Sequence, residues 1–351
     1  MQRRRTKTCP DVGAPCSARI DRARTAALPL PRDVFKLLVL GATGFLGVSV
    51  CEKLVERAGA ADGRVRVATR HAARARHLQV MPIVEVAAGD VHDEATLVWM
   101  LRDTDAVVNL VGILHGSEAE FERVHVRLPE RLAAACRRAG VRRVIHVSAI
   151  GAAADAPSRY LRSKGRGEAV LRAAALDLTI LRPSVVFGER DRFLNLFAGL
   201  QAVLPVMPLA SANARFQPVW VEDVGRAVAR CLDDASTIGL TIECVGPRVY
   251  TLRELVELAG QWSGSRRPVF ALPAALGRLQ AMVMEFLPGR TMMSRDNVDS
   301  MRVASVASGK LPGLARLGIE ATPLESVAPD YLGHAGGEAR LEAWRARARR
   351  S

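Results

Sequence analysis

The sequence passes from a continuous apolar run into a glycine-rich turn and then into an amphipathic helix. The run covers residues 35–40 and predicts a strand that is buried on both faces. The turn covers residues 41–47, and from Leu46 onward apolar residues recur every four positions, as they do on one face of a helix. A buried strand, a tight turn and a helix in this order favour an α/β fold with a parallel sheet.

Short apolar runs continue to alternate with helical patterns as far as Pro183. Further strands are predicted at residues 65–69, 83–87, 105–111, 144–147 and 178–181. Asp93 and Ser158 are suitable N-caps for two of the helices, and Gly140 is a suitable end for another. We therefore expect a Rossmann-type, doubly wound parallel sheet. A small, mostly helical C-terminal lobe should follow it, with a capping box at Thr251.

The chain carries a net charge of +14, and much of this excess lies at its two ends. Residues 1–32 hold eight Arg or Lys against two Asp, and residues 335–351 hold five Arg against two Glu. We interpret the first segment as a disordered basic extension, with a targeting peptide as the alternative, and the second as a basic tail. Between them we expect a dinucleotide-binding domain at 33–185 and an interleaved substrate or partner lobe at 186–334. No stacking aromatics accompany the basic ends, so nucleic-acid binding is not expected.

The six Cys and seven His are scattered along the chain without the spacing of metal ligands. We therefore expect no metal, a reducing compartment, and small core roles for the last four Cys. No run of about 18 apolar residues is present, which predicts a cytoplasmic protein that is either soluble or peripheral at the inner face of a membrane.

One apolar helix, predicted at residues 272–288, has two interpretations. Its apolar face is formed by Leu272, Ala275, Leu276, Leu279, Met282, Val283 and Phe286. The face could close a substrate pocket from inside, or it could meet a membrane or a membrane-embedded complex.

The glycine turn has the spacing of a dinucleotide-binding site. Its residues are Gly41, Ala42, Thr43, Gly44, Phe45, Leu46 and Gly47. One glycine permits the tight turn, one lets the pyrophosphate approach the backbone, and one lets the helix pack close to the strand. The free N–H groups at the start of the helix would then bind the phosphates. The signal is strong because the turn directly follows the first predicted strand.

The end of the second predicted strand favours NADP over NAD. An acidic residue there would bind the ribose 2′-hydroxyl of NAD, but this sequence has Thr69, Arg70 and His71. Arg70 would pair with the 2′-phosphate of NADP. NAD stays open as the alternative, because Arg70 could also belong to a solvated helix face.

Three residue types suited to hydride-transfer chemistry occur close together. Tyr160 and Lys164 are four residues apart on a predicted helix and so share one face, and Ser148 ends the preceding strand. Tyr160 would exchange a proton with a carbonyl or alcohol, Lys164 would lower the pKa of Tyr160 and donate to the nicotinamide ribose, and Ser148 would orient the reacting oxygen. The chain has three Tyr and five Lys, so this spacing is uncommon by chance. In the alternative interpretation, Tyr160 and Lys164 are ordinary surface residues.

These features together resemble the extended and atypical short-chain dehydrogenase/reductases. Within them the chain most resembles the nucleotide-binding accessory subunit family of respiratory complex I and its bacterial relatives, which are described as NAD-dependent epimerase/dehydratase-like. The matching segments are 39–47, 109–114, 146–152, 160–164, 181–188, 191–193, 216–219 and 221–224. The resemblance covers about residues 34–300.

The resemblance implies several further site residues. It places Asp90 and Val91 near the adenine, Asn109, Val111 and Gly112 along the cofactor channel, and Pro183 and Ser184 near the nicotinamide. It also implies that the protein binds NADPH tightly and that a structural or redox-sensing role competes with catalysis.

Three functions are compatible with the sequence. The first is an NADP(H)-dependent oxidoreductase acting on an apolar, quinone- or isoprenoid-like substrate. The second is a non-catalytic NADPH-binding accessory or assembly subunit of a respiratory complex. The third is a sugar-nucleotide epimerase or dehydratase, which the apolar 272–288 segment disfavours.

Overall fold

A seven-stranded, fully parallel sheet forms the centre of the protein. The computed structural model describes residues 34–59, 62–286 and 293–335. The strands of the sheet are β1 (Val34–Leu40), β2 (Asp62–Thr69), β3 (Val84–Ala88), β4 (Ala106–Asn109), β5 (Arg143–Val147), β6 (Asp177–Pro183) and β11 (Thr241–Cys244). Their order across the sheet is β11-β6-β5-β4-β1-β2-β3, and every neighbouring pair is parallel. The order therefore reverses between β1 and β4, at the point where ligands of such sheets bind.

Helices cover both faces of this sheet. They are α1 (Phe45–Ala58), α2 (Arg76–Gln79), α3 (Glu94–Met100), α4 (Glu118–Glu122), α5 (Leu128–Ala139), α6 (Arg159–Ala173) and α8 (Val221–Asp233). On one face α1 and α8 enclose a core around Val39, Leu54 and Val228. On the other face α3, α5 and α6 enclose a core around Leu40, Leu132 and Leu171. The predicted doubly wound arrangement is confirmed.

The C-terminal part adds a smaller lobe with a core of its own. Its helices are α7 (Leu194–Val203), α9 (Leu252–Trp262), α10 (Ala274–Phe286), α11 (Arg295–Ser300) and α12 (Ala328–Ala335). Three two-stranded pairs accompany them and involve β7 (Val186–Phe187), β8 (Met207–Leu209), β9 (Arg215–Phe216), β10 (Val219–Trp220), β12 (Tyr250–Thr251) and β13 (Val269–Ala271). Phe197, Leu209 and Leu255 lie in the core of this lobe. Strand β11 leaves the lobe and joins the main sheet beside β6.

The predicted capping signals are local in sequence, and the structure confirms the helix ends that they mark. The Asp93 side chain caps α3, and the Ser158 side chain caps α6. Thr251 and Glu254 form the predicted capping box, and Gly140 ends α5 in a left-handed conformation. Each of these signals lies within one turn of the boundary it marks.

Several predicted boundaries were wrong by one to three residues, with β2 for example beginning at Asp62 rather than at residue 65, and two of these differences have a local cause. Strand β4 ends at Asn109 rather than at residue 111, because the Asn109 side chain accepts a hydrogen bond from the N–H of Val111 at 3.1 Å. Helix α10 begins at Ala274, so Leu272 precedes it. The N–H of Leu272 donates instead to the carbonyl of Leu209, and the following Pro273 disfavours a helical conformation at Leu272.

Four cysteines lie in the core, as predicted. Cys51, Cys136, Cys231 and Cys244 are buried and free, and burial raises the pKa of each thiol. Such thiols are poor nucleophiles. The basic extension 1–32 and the basic tail beyond residue 335 lie outside the described residues.

Candidate functional site

The glycine turn connects β1 to α1 and leaves room for a diphosphate. Gly41 has a φ of +84°, and a Cβ there would lie 3.0 Å from the backbone of Leu110 and Val111. A Cβ at Gly47 would lie 2.4 Å from the Cα of Ala42, so α1 packs directly on the turn. Gly44 is exposed at the N-cap of α1, where no side chain caps the helix. The three glycines thus have the conformation, packing and exposure that a pyrophosphate site would require.

The remaining turn residues support this site. Thr43, Phe45 and Leu46 are half-buried, and Leu46 packs against the core under α1. The first turn of α1 contains no acidic residue. The positive end of the helix dipole is therefore available to a bound anion.

Positive charge surrounds the end of β2. Arg70 is exposed and directly follows Thr69, the last residue of the strand. Burial lowers the pKa of His92, the charge of Asp90 raises it, and the charges of Arg123, Arg131 and Arg70 lower it. Arg70 therefore belongs to a cluster of three arginines and one carboxylate at the end of the sheet where the adenosine ribose of a dinucleotide would lie.

Asp90 and Val91 follow β3 beside this cluster. The carboxylate of Asp90 accepts a hydrogen bond from the N–H of His92 at 3.0 Å. Val91 is half-buried against the core on the α3 side of the sheet. The peptide N–H of Gly89 donates to the carbonyl of Thr69, which holds the ends of β2 and β3 together.

The loop after β4 joins the glycine turn to helix α6. The Asn109 side chain is buried and donates to Nδ1 of His146 at 3.2 Å while it accepts from Val111. Val111 lies against Gly41, and a Cβ at Gly112 would lie 3.2 Å from Nζ of Lys164. The structure thus places the predicted channel residues between the glycine turn and the predicted catalytic lysine.

Ser148 and Lys164 meet at the carboxyl end of β5. Nζ of Lys164 is buried and donates to the carbonyl oxygen of Val147 at 3.0 Å, one residue before Ser148. Oγ of Ser148 is buried and makes no hydrogen bond within the described part of the protein. It is one of eight buried side-chain atoms of the described residues that lack a partner, and such atoms are commonly satisfied by an ordered water or a ligand.

Tyr160 stands one turn before Lys164 on α6, in an aromatic cluster. Its ring centroid lies 6.2 Å from that of Phe121 and 5.6 Å from that of His125. Burial raises the pKa of Tyr160 to about 12. The predicted lowering of this pKa by Lys164 was therefore wrong for the protein alone, because the ammonium is engaged by Val147 and desolvation dominates at the phenol.

The charge of Lys164 is buried without a direct ion pair among the described residues. Burial lowers the pKa of Lys164 to about 8, and Glu168, one turn along α6, acts in the opposite direction. Glu168 itself is buried and forms ion pairs with Arg182 at 2.6 Å and Arg172 at 2.9 Å. A buried ammonium that has no direct ion pair lowers the stability of the folded protein, and charges buried in this way are typical of functional sites.

Pro183 and Ser184 close the site from β6. The carbonyl of Pro183 accepts from the N–H of Ile150, so the end of β6 is tied to the loop that begins at Ser148. Oγ of Ser184 donates to the carbonyl of Ser305 at 2.6 Å. This contact connects the site to the C-terminal segment.

Two residues that hold the site were not identified from the sequence. His125 lies in a π-helical turn at 123–127, with Nε2 accepting from the N–H of Ile113 at 3.1 Å and Nδ1 lying 2.8 Å from Oγ of Ser163. Burial lowers the pKa of His125 to about 2, so the ring is neutral. Asp296, in α11, accepts hydrogen bonds from the first N–H groups of α6. No local pattern marks either residue, because both act through contacts distant in sequence.

The apolar face of helix α10 is largely exposed. Leu276, Leu279 and Val283 are each at least half exposed, and Met282 is also exposed. Of the α10 residues whose burial is described, Gly277 and Ala281 are the buried ones, and Gly277 packs on Ala210. Both interpretations of this segment stay predictions, because a helix that lines an unfilled cleft and a helix that faces a partner expose the same side chains.

Within residues 34–59, 62–286 and 293–335, no group of three or more His, Cys, Asp or Glu is placed to hold a metal ion. Across the same residues, no helix is long and apolar enough to cross a bilayer. The absence of a metal stays a prediction for the whole chain.

Comparison with known proteins agrees with the geometry. A family model described as NAD(P)H-binding matches residues 41–196, which include the glycine turn, Ser148, Tyr160 and Lys164. The mitochondrial NADH dehydrogenase (ubiquinone) 1 alpha subcomplex subunit 9 of Mus musculus is 34% identical over 308 residues, covering 84% of this chain and 78% of the relative. A ceramide reductase of Caulobacter vibrioides is 32% identical over 245 residues, covering 67% of this chain and 73% of the relative.

Solved structures show the same fold. An Escherichia coli NADPH-dependent quinone oxidoreductase, solved in complex with NADPH, superimposes with a TM-score of 0.69 at 21% identity. The alignment covers 85% of this chain and 99% of that enzyme. At this level of identity the likeness concerns the fold, and the dinucleotide-binding architecture inferred from the sequence is confirmed.

Proposed function

The chain belongs to the family of NADH dehydrogenase (ubiquinone) 1 alpha subcomplex subunit 9 within the short-chain dehydrogenase/reductases, and we propose that it is an NADP(H)-dependent oxidoreductase acting on an apolar carbonyl or quinone substrate. The observation that carries this proposal is the buried, unpartnered hydroxyl of Ser148 beside the buried ammonium of Lys164. An accessory protein that only binds a dinucleotide could use Lys164 to hold the nicotinamide ribose, but it has no need of the Ser148 hydroxyl, whose burial without a partner costs stability.

The residues present fit a nicotinamide dinucleotide. Gly44 leaves the start of α1 open, and Arg70 offers a cation where NADP carries its additional phosphate. When bound, the dinucleotide supplies a hydride to the substrate. We assign the preference for NADP to Arg70, with NAD as the weaker ligand.

Carbonyl reduction also requires one proton on the oxygen, and Tyr160 is the candidate donor. A phenol with a pKa of about 12 is neutral near pH 7 and can donate its proton as the hydride adds to the carbonyl carbon. Lys164 would stabilise the resulting phenolate, and Oγ of Ser148 would donate a hydrogen bond to the substrate oxygen. For a quinone the same hydride and the same proton complete the two-electron reduction to the quinol, and solvent then returns a proton to the Tyr160 phenolate.

Apolar side chains are exposed on the loops near the site. Leu114, two residues after Gly112, is about half exposed, and Val303 is exposed beside Gly151. A ceramide reductase, whose name denotes a lipid substrate, is 32% identical to this chain. We base the choice of an apolar substrate over a sugar nucleotide on that relative and on these side chains.

The test is NADPH oxidation, followed by absorbance, with decylubiquinone, menadione, a long-chain aldehyde and a long-chain ketone as acceptors. Tyr160→Phe should keep its affinity for NADPH and lose turnover by about 100-fold or more, since general acid catalysis contributes factors of this size. Tyr250→Phe is the matched control. Full activity of Tyr160→Phe refutes the assignment of Tyr160.

A second function is favoured by the exposed face of α10. In this alternative the chain is a non-catalytic NADPH-binding accessory subunit of a respiratory membrane complex, and it sits at the inner face of the membrane. Leu276, Leu279, Val283 and the nearby strand residue Phe270 expose apolar surface, and Arg266 and Arg267 are exposed before the same strand. Exposed apolar surface rimmed by cations is typical of sites that contact membranes or membrane proteins.

Cell fractionation tests this alternative. A protein held by both apolar and charged contacts should sediment with membranes at low salt and be only partly released by a salt wash, because salt screens charge and leaves apolar contact intact. A Leu276→Ser, Leu279→Ser protein should be released more completely. Wholly soluble wild-type protein at low salt rules out membrane association. Membrane association without turnover on any acceptor favours the accessory role.

A further inference from the structure

Helix α6 begins against a carboxylate that comes from 136 residues further along the chain. Asp296 is buried in α11, and its Oδ1 accepts a hydrogen bond from the N–H of Arg159 at 2.7 Å. Its Oδ2 accepts from the N–H of Tyr160 at 3.1 Å. The Ser158 side chain accepts from the next N–H, that of Leu161. Three successive N–H groups at the start of α6 are therefore occupied, which is unusually complete for a helix terminus.

Two of these bonds lie outside the usual capping arrangement. Ser158 alone would be a sufficient N-cap for α6. Asp296 adds a charge at the positive end of the helix, where α6 has no acidic residue of its own in the first turn. A carboxylate brought from a distant element to the backbone of Tyr160 constrains that residue directly.

The other contacts of Tyr160 come from the opposite side. Its ring packs on Phe121 and His125, and its carbonyl accepts from Oγ of Ser163 at 2.8 Å. Those contacts hold the ring against α4 and the π-helical turn. Asp296 holds the backbone from the C-terminal segment, so the phenol is fixed between two parts of the chain.

We propose that Asp296 is a positioning residue for Tyr160, setting where the phenol stands relative to Ser148 and Lys164. This inference rests on the catalytic role proposed for Tyr160. Because a misplacement of about 1 Å at a reacting group can lower a rate by about 100-fold, loss of this anchor should reduce turnover more than binding. Asp296 acts through the backbone of Tyr160 and need not touch the substrate.

The first experiment separates turnover from binding in Asp296→Asn, in which one oxygen and the charge are lost. We expect kcat for NADPH oxidation with the best acceptor to fall about 10-fold or more, with the NADPH dissociation constant within about twofold of wild type. Asp299→Asn is the matched control. Asp299 lies on the same helix and pairs with Arg278 at 2.9 Å, so its kcat should stay within about twofold.

The second experiment does not depend on turnover. The chain has three tyrosines, Tyr160, Tyr250 and Tyr331, so the protein labelled with 3-fluorotyrosine should give three fluorine resonances that single Phe variants assign. Asp296→Asn should move the Tyr160 resonance and leave the other two in place. Asp296→Glu, which keeps both accepting oxygens and the charge, should show a smaller shift and a partial recovery of kcat. It also serves as the test variant should Asp296→Asn fail to fold.

The two experiments distinguish a failure of the proposed catalytic function from a failure of the positioning role of Asp296. A wild-type protein without turnover on any acceptor defeats the proposed catalytic function, while the fluorine spectrum still tests the anchor. An unmoved Tyr160 resonance in a folded Asp296 variant overturns the positioning role. An unchanged kcat in an active, folded variant does so as well.

Discussion

Gly44→Asp separates dinucleotide binding from folding because of where Gly44 lies. The residue is the exposed N-cap of α1 with φ −80° and ψ 172°, a conformation open to any amino acid. A Cβ there would lie 3.3 Å from the carbonyl oxygen of Gly41, a contact that a shift of a few tenths of an ångström relieves. Asp is also a better N-cap than Gly by a few tenths of a kcal/mol. The free energy of unfolding should therefore change by less than about 1 kcal/mol.

The affinity for NADPH should fall far more in Gly44→Asp than the stability does. A carboxylate at this position would stand where the diphosphate approaches the backbone. Two unit charges about 4 Å apart, near a protein surface, repel each other by about 4 kcal/mol. That energy corresponds to a loss of affinity of about 1,000-fold. Gly44→Ala adds the Cβ without the charge and should retain more of the affinity.

Calorimetric titration with NADPH and urea unfolding measure the two quantities on the same protein. Gly199→Asp is the control for added charge, because a Cβ at Gly199 meets nothing within 4 Å and α7 lies in the other lobe. A folded Gly44→Asp protein that binds NADPH within threefold of wild type would falsify the assignment of the site.

Two shorter predictions follow from the geometry. Arg70→Ala should weaken NADPH binding by about 1.5–3 kcal/mol and leave NADH binding unchanged, because a charge-assisted pair to the 2′-phosphate is lost; titration of both cofactors checks this, and equal wild-type affinities for them contradict it. Gly167→Ala should destabilise the fold by about 3 kcal/mol, since its Cβ would lie 1.9 Å from the carbonyl oxygen of His125. Gly199→Ala should instead stabilise α7 by about 1 kcal/mol in the same urea assay.

The fold and the dinucleotide site could be predicted because their signals are local. Gly41, Gly44 and Gly47 lie within seven residues, and caps such as Ser158 act on N–H groups three positions away. Alternation of apolar runs with helical patterns then implied the parallel sheet. Tyr160 and Lys164 shared a face by helical geometry alone.

The remaining features depend on contacts between distant segments. Asp296 reaches Tyr160 across 136 residues, and His125 ties the loop at Ile113 to α6. The pKa of Tyr160 could not be predicted because the four-residue spacing to Lys164 says nothing of the carbonyl that engages the ammonium. The exposure of α10 could not be predicted either, since an apolar face has the same pattern whether it is covered or open.

Lys164→Met tests whether the buried ammonium is retained at the expense of stability. In an unfolded chain the pKa of lysine is near 10.4, and in the folded protein burial lowers the pKa of Lys164 to about 8. The unfolded state therefore binds more protons between these values, and the stability of the wild type rises as the pH increases from about 8 to about 10.4. Below pH 8 the buried charge costs about 3 kcal/mol relative to the neutral amine, while Lys164→Met would leave the carbonyl of Val147 without its partner at a cost of about 1 kcal/mol. Lys164→Met should thus raise the free energy of unfolding by about 2 kcal/mol at pH 7, a gain that disappears towards pH 10.4, while NADPH turnover is lost.

Urea unfolding of the wild type and of Lys164→Met across this pH range measures the difference between their free energies of unfolding. Other groups titrate in the same way in both proteins, so their contribution cancels in this difference. A variant less stable than wild type at pH 7 would show that Lys164 is a structural residue, and the argument that this site is built for chemistry would lose its energetic support.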